Sequence, residues 1–311
     1  MESMRWEKKG LICDCRTLDL PWFRKNAMVP LVHRIADKRL RIFMTMCDES
    51  NVGRIGYVDV AIDDPRRILG YSGHPVLDIG DEGTFSDNGI LTSSLLRVDD
   101  RLFMYYSGYQ ACVKVPYLIF SGVAVSIDNG DSFQNLTRAP LLDRVEGEIF
   151  TRSGPTVMHE NGQFRVWYTS DARKAWITDG GKSRPCYDLK QIVAASPTSW
   201  PKGSGSKCLE LRGDDEHGIS KSTIWKDGGV YKMIYSLRTI SAGYRLGYAE
   251  SGDGVEFVRK DDQVGIGVSS DGWDSQMICF PERFSYGGRT YLFYCGNHYG
   301  IGGVGYAELI Q

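Results

Sequence analysis

No stretch of this chain stays apolar long enough to cross a bilayer, and the N-terminal MESMRWEKKGLICDCRTLDLPWF lacks the apolar core of a secretory signal. A cytoplasmic protein without a membrane span is the expectation. Charge of one sign is missing too: 37 Lys and Arg face 39 Asp and Glu, for a formal net charge of −2. That balance provides no basic surface to draw nucleic acid or an anionic membrane, so neither is an expected partner. Histidine is scarce and scattered, with five in all, and none has a recognisable serine or cysteine partner. A nucleophile elbow, a phosphate-binding loop and a dinucleotide fingerprint are likewise missing. Acyl transfer and dinucleotide chemistry drop out, and no cofactor is expected.

Eight cysteines are present, yet a chain of 311 residues without an export signal needs no disulfide framework. Free thiols are expected, with Cys112, Cys279 and Cys295 in apolar, strand-like surroundings. Cys13 and Cys15 form a lone Cys-x-Cys without the further ligands that a closed zinc site requires, so no metal is expected. Helical periodicity is nearly absent, which removes an α/β alternative.

In its place one phrase recurs. NGQFRVWYTS (Asn161–Ser170) is echoed by DDRLFMYYSG (Asp99–Gly108), DGGVYKMIYS (Asp227–Ser236) and YGGRTYLFYC (Tyr286–Cys295), and more weakly by ADKRLRIFMT (Ala36–Thr45). Each is a polar turn followed by alternating aromatic and aliphatic positions, the period of a half-buried strand. Ahead of each copy runs a short apolar segment, opened by proline in MVPLVHRI, SGPTVMH and CFPERF, as the first residue of a strand allows. Behind it comes a third segment ending in a turn of the type Ser-x-Asp-x-Gly, in GVAVSIDNGDSF and LGYAESGDGVEF.

Antiparallel units of about 60 residues that cannot bury both faces alone must stack on one another. The expected fold is all-β: a five-bladed β-propeller in a single domain spanning 1–311. The blades fall near 22–64, 85–135, 150–200, 218–260 and 274–309, with Tyr106, Trp167, Tyr235 and Phe293 on equivalent second strands.

FSDNGILTSSLL, FTRSGPTVMHENGQFRVWYTS, YRLGYAESGDGVEF and GWDSQMICFPERFSYGGRTYLFYCGNHYG resemble the five-bladed propellers of the arabinanase, levansucrase and invertase superfamily. The likeness is greatest to glycosidase-like members encoded with bacterial surface-polysaccharide genes, and it runs from about Trp22 to Leu309. It implies acids from different blades converging on an axial funnel, commonly as aspartate before the proline of an inner strand. This chain departs from that pattern, with Val29, Leu91, Gly154, Lys221 and Phe280 before the strand openings.

Glycoside chemistry needs two carboxyl groups, one to protonate the leaving oxygen and one to act as nucleophile or base. The loops feeding the inner strands offer Asp87, Glu148, Glu216 and Asp274, with Glu282 just inside the last strand. Asp87, Glu148 and Asp274 are the expected catalytic set. The alternatives are a turn former at Asp87, a loop cap at Asp274 and a solvated Glu216. Arg152, Lys221, Arg238 and His217 near the same openings point to an anionic substrate: an acidic sugar, a sugar phosphate or a nucleotide sugar. Structural ion pairs are the competing reading. Trp22, Tyr109, Trp176, Tyr244, Trp273 and Tyr299 are candidate stacking rings, Trp273 foremost, with packing between blades as the competing reading.

The function expected is cleavage or transfer of a glycosyl group in surface-glycan assembly. The rivals are a propeller that binds a glycan or sugar nucleotide without turnover, and a protein scaffold. Oligomeric state is left open by the sequence.

Overall fold

The computed structural model describes residues 3–310. Among them the regular secondary structure is nearly all strand, relieved by a 3-10 turn at Asp261–Gln263 and one short helical turn at Asn297–Gly300. No described helix is long and apolar enough to cross a membrane.

The strands are laid down as successive antiparallel meanders. The first comprises Ala27–Ala36, Arg39–Cys47, Gly53–Ala61 and Ile68–Tyr71. The second comprises Ile90–Val98, Arg101–Ala111, Tyr117–Ser126 and Gln134–Asn135. The third comprises Thr151–Glu160, Gln163–Asp179, Lys182–Ala194 and Ser206–Leu209. The fourth comprises Glu216–Asp227, Val230–Thr239, Gly243–Ser251 and Val258–Arg259. The last comprises Cys279–Tyr286, Arg289–Cys295 and Val304–Leu309, and its outermost strand is Trp6–Cys13 from the other end of the chain. That strand ties the N-terminal segment to the C-terminal one, a pairing that lies outside the 274–309 boundary expected from the repeat.

Turn chemistry explains why the repeat folds this way. Gly228-Gly229 and Gly287-Gly288 carry positive φ at both positions, and so does Asn161-Gly162, the conformation that a tight two-residue hairpin with the native strand twist demands. The Ser-x-Asp-x-Gly turns close as their residue types require: Asp253 accepts the Val255 and Glu256 N–H groups at 2.8 and 2.9 Å, while Gly254 takes φ +78°.

Burial follows the strand period of two. On each second strand one residue faces the following meander and its neighbour the preceding one. Phe43, Tyr105, Trp167, Ile234 and Phe293 pack forward, while Met44, Tyr106, Tyr168, Tyr235 and Tyr294 pack back. The core is thus a series of slabs between neighbours, and one slab joins the last meander to the first, through Phe293 and Tyr306 against Ile42, Met44 and Val58. Each aromatic in these slabs removes enough apolar surface for roughly 1.5–3 kcal/mol. Trp167 and Phe293 therefore lie on second strands as expected but one position out of register. The residues equivalent to Tyr106 and Tyr235 are Tyr168 and Tyr294.

Cys13, Cys15, Cys47, Cys112, Cys208, Cys279 and Cys295 are free thiols. Cys279 and Cys295 are buried in strands, whereas Cys112 is half-buried just beyond a strand end. The third strand of the third meander buries a carboxyl unfavourably. Asp188 is 3% exposed, its Oδ1 has no hydrogen-bond partner, and burial pushes its pKa up to about 7. The folded state thus holds a proton there that the unfolded chain releases at lower pH, so stability is lost as pH rises toward 7. Asp188→Asn is expected to raise the melting temperature at pH 8 and leave it nearly unchanged at pH 4, as thermal denaturation at the two pH values will show.

Candidate functional site

Every inner strand carries an irregularity at the same place. Register shifts fall between Met28 and Leu31, Thr92 and Ser94, Ser153 and Thr156, Ser220 and Ser222, and Cys279 and Glu282. Val29, Gly154, Lys221 and Phe280 take positive φ there. Such a conformation is strained for a side chain with a Cβ, above all for β-branched Val29. A bulge inserts one residue and re-aims its neighbours. These residues, with Thr92, line a single cavity of about 720 Å³. Thr92, not Leu91, is the second meander's equivalent: its N–H bonds Thr45 Oγ1 at 3.0 Å, as the Val29, Gly154 and Phe280 N–H groups bond Cys295 Sγ, Ser107 Oγ and Ser236 Oγ at 3.0, 2.8 and 2.8 Å. The acceptors are the small polar residues near the end of the repeated phrase.

The hydroxyl residues Thr92, Ser107, Thr151, Ser153, Thr169 and Ser220 line the cavity together with Tyr109, Tyr117, Tyr187, Tyr244 and Tyr299. Among the described residues that line the cavity there is no aspartate or glutamate. Its cations have different fates. Lys221 is 4% exposed and spends its charge inside the protein, with Nζ 3.0 Å from Glu282 Oε2 and 3.3 Å from the Pro281 carbonyl. Burial raises the Glu282 carboxyl above its ordinary pKa, and the Lys221 charge acts against that shift.

Arg238 is half-buried and has no carboxylate partner among the described residues. Its Nη2 donates to Tyr299 Oη at 2.5 Å and its Nη1 to Tyr187 Oη at 3.4 Å, and the guanidinium lies over the Tyr244 and Tyr299 rings at 5.4 and 5.3 Å. Burial works against its charge, but the phenols of Tyr187, Tyr244 and Tyr299 more than offset that and raise its pKa. The guanidinium stays protonated.

The loop acids lie elsewhere. Glu148 is fully buried, 2.6 Å from Arg152 Nε and 2.9 Å from Lys190 Nζ, and it accepts from Tyr168 Oη at 3.0 Å and from Ser204 Oγ. Arg152, 1% exposed, also donates to the carbonyls of Asp143 and Gly203, each at 2.8 Å. Asp274, 2% exposed, is bound by Lys8 Nζ at 2.6 Å and Tyr294 Oη at 2.9 Å. Glu216 accepts both Arg259 Nη atoms at 2.7 Å. Asp87 accepts the Gly83 N–H at 2.9 Å, as a turn former does. None of these acids lines the cavity, and neither does Arg152, so the expected catalytic set does not converge there. Asp87→Asn is expected to leave both stability and ligand binding within about 1 kcal/mol of the parent, because asparagine keeps the acceptor. Thermal melts and titration calorimetry will measure both.

His217 is buried with Nδ1 2.9 Å from the Pro185 carbonyl, and burial lowers its pKa, so the ring is neutral. Trp273 stacks on Tyr294 with ring centroids 5.1 Å apart, a core contact. Trp22 bonds the Gly73 carbonyl through Nε1 at 3.1 Å, and Trp176 lies behind the wall against Phe150 at 4.8 Å. Tyr109, Tyr244 and Tyr299 do reach the cavity. Sequence reasoning missed Tyr117, which follows Pro116 at the opening of its strand, and Tyr187, which lies two residues after Pro185 inside the strand Lys182–Ala194. Among the described residues no three His, Cys, Asp or Glu side chains come together as a metal site.

No family model matches the chain. Two Mycobacterium tuberculosis proteins, Uncharacterized protein MT1551 and Uncharacterized protein Rv1502, are each 31% identical over 306 residues, 98% of this chain and 99% of the relative. Among solved structures, one named Glycoside hydrolase superposes with a TM-score of 0.72 at 18% identity, over 99% of this chain and 92% of the other. A thermostable family-43 glycoside hydrolase gives 0.67 at 15% identity, over 93% and 90%. An exo-1,5-alpha-L-arabinanase from a bovine ruminal metagenomic library gives 0.61 at 15% identity, over 92% of each chain. At these identities the likeness is one of fold, a glycoside-hydrolase-like β-propeller.

Proposed function

The chain belongs to one family with the two Mycobacterium tuberculosis proteins, and we propose that it is a five-bladed β-propeller which binds a carbohydrate carrying an anionic group, an acidic sugar, sugar phosphate or nucleotide sugar. The single observation behind this reading is the composition of the cavity: hydroxyls, tyrosine rings and an Arg238 bonded to tyrosines alone, with no carboxylate among its described lining residues. Tyrosine rings stack on pyranose faces and their polar tips bond hydroxyls, while a guanidinium forks onto carboxylate or phosphate. Hydrolysis by paired carboxyls requires a spacing of about 5 Å for retention or roughly 6.5–9.5 Å for inversion, and the described residues of this cavity offer no such pair. Binding in the cytoplasm during surface-glycan assembly is the setting that we infer.

The test is titration calorimetry with glucose, glucuronic acid, glucose 1-phosphate and UDP-glucose, alongside an assay for released sugar. Binding of at least one acidic compound more tightly than glucose, with no release, is the expected result. Failure to bind any of them would overturn the reading.

One observation favours a second reading, glycosyl cleavage or transfer: Glu282, with its raised pKa, bonds directly to a cavity-lining side chain, Lys221. Sugar release that is abolished in a folded Glu282→Gln variant would establish it over the first.

A further inference from the structure

The hydrogen bonds between second and inner strands form a ring that runs from meander to meander beside the cavity, and the ring is broken at one place. Thr45, Ser107, Ser236 and Cys295 each accept the bulge N–H of the next inner strand. The equivalent acceptor between the third and fourth meanders is Thr169, and its Oγ1 is buried without any hydrogen-bond partner. The residue is 4% exposed and lines the cavity. Lys221, which should complete the bond, departs from its counterparts with φ +20° and turns its side chain to Glu282.

The same junction has the least side-chain cover. Of the bulge residues Val29, Thr92, Gly154, Lys221 and Phe280, only Gly154 has no side chain. A Cβ placed on Gly154 would lie 3.5 Å from Thr169 Oγ1 and 3.8 Å from the Lys221 nitrogen. Space and an unmet polar atom thus coincide. A buried hydroxyl without a partner is costly, and native proteins seldom keep one unless something binds it.

We propose that Gly154 and Thr169 form a subsite for one hydroxyl of the bound sugar, which donates to or accepts from Thr169 Oγ1 and closes the ring. The inference rests on the carbohydrate-binding reading above and adds to it the atom that selects a hydroxyl at one ring position. A deoxy sugar at that position leaves Thr169 unpaired and binds more weakly. A site built around a polar group discriminates in this way against an analogue lacking its partner.

Thr169→Val tests it, because valine keeps the shape and removes the hydroxyl. Glucuronic acid, glucose 1-phosphate and UDP-glucose are titrated into the parent, Thr169→Val, Thr169→Ser and Arg238→Gln proteins, with melting temperatures taken alongside. The expected result is about three- to tenfold weaker binding for Thr169→Val, binding close to the parent for Thr169→Ser, and a melting temperature for Thr169→Val equal to or above the parent's. A fall in the melting temperature of Thr169→Val would show that the hydroxyl is bonded within the protein and overturn the subsite. Unchanged binding in Thr169→Val together with loss in Arg238→Gln would overturn the subsite and leave the carbohydrate reading standing. Absence of binding to the parent would overturn both.

Discussion

Glu148→Ala is expected to destabilise the protein by about 3–5 kcal/mol, the usual cost of breaking a buried ion pair by removing one partner. Two cations, Arg152 and Lys190, converge on the Glu148 carboxylate, which is itself fully inaccessible. Alanine strands the Arg152 guanidinium at 1% exposure and frees the Tyr168 hydroxyl, whose own pKa burial pushes up to about 12, so that it remains a donor in need of an acceptor. The melting temperature should fall on the order of 10 °C. A catalytic carboxylate would behave differently, because active-site acids are commonly removed with little loss of stability. A melting temperature within 2 °C or so of the parent would refute the structural role.

The pH dependence carries the same signature. Burial alone would raise the Glu148 pKa, but the hydrogen bonds from Ser204 and Lys190 and the charges of Arg152 and Lys190 outweigh it and hold the group below the ordinary carboxylate range. A carboxyl with a depressed folded-state pKa contributes stability that is fully present above its unfolded pKa and is lost as pH falls through the folded value. Glu148 therefore stabilises at neutral pH and fails in acid, below about pH 4.3. Asp188 acts with the opposite sign, since its raised pKa costs stability as pH climbs toward 7. Together the two groups place the optimum between those limits.

The fold was largely legible because the physics behind it is periodic. Hairpin glycines and alternating apolar positions recur with each meander, and one copy suffices to interpret the others. The loop acids recur as well, and that regularity misled. Glu148 stands twenty positions before Tyr168, and Asp274 twenty before Tyr294, and each accepts the tyrosine hydroxyl. Ser86, likewise twenty positions before Tyr106, hydrogen-bonds that phenol. Each of these rings faces the preceding meander, where its hydroxyl loses water and must find a partner. Acids spaced evenly near the strand openings thus serve the core. Sequence spacing gives the position of a side chain along the chain but not which side of the loop it faces.

The cavity was legible only in part for a related reason. The strand openings Val29, Gly154, Lys221 and Phe280 were visible as the places where acids were missing, and their bulges do line the cavity. The pairing of Arg152 with Glu148 and of Lys221 with Glu282 was legible only as the competing reading, because spacing along the chain does not fix which way each side chain turns. Arg238 lies at the end of its second strand, two residues past the ring acceptor Ser236, where strand alternation returns it to the cavity side.

Arg238→Gln should consequently have the largest effect on binding. Hydrogen bonds to charged groups contribute about 1.5–3 kcal/mol, which corresponds to a loss of roughly ten- to a hundredfold in affinity for an acidic ligand. Glucose should be affected little, since its contacts are with hydroxyls and rings. Glutamine keeps an amide donor, so the loss measures charge and fork geometry. Arg238→Lys should recover only part of the affinity, because an ammonium neither forks nor stacks between Tyr244 and Tyr299 as the guanidinium does. Tyr299→Phe removes the oxygen that holds Nη2 at 2.5 Å and should weaken acidic ligands less than Arg238→Gln does. The parent's affinity should also fall between 50 mM and 500 mM salt, and that slope should flatten in Arg238→Gln. Equal losses for glucose and for the acidic compounds, or a salt slope unchanged by the substitution, would show that Arg238 supports the shape of the cavity and receives no anion.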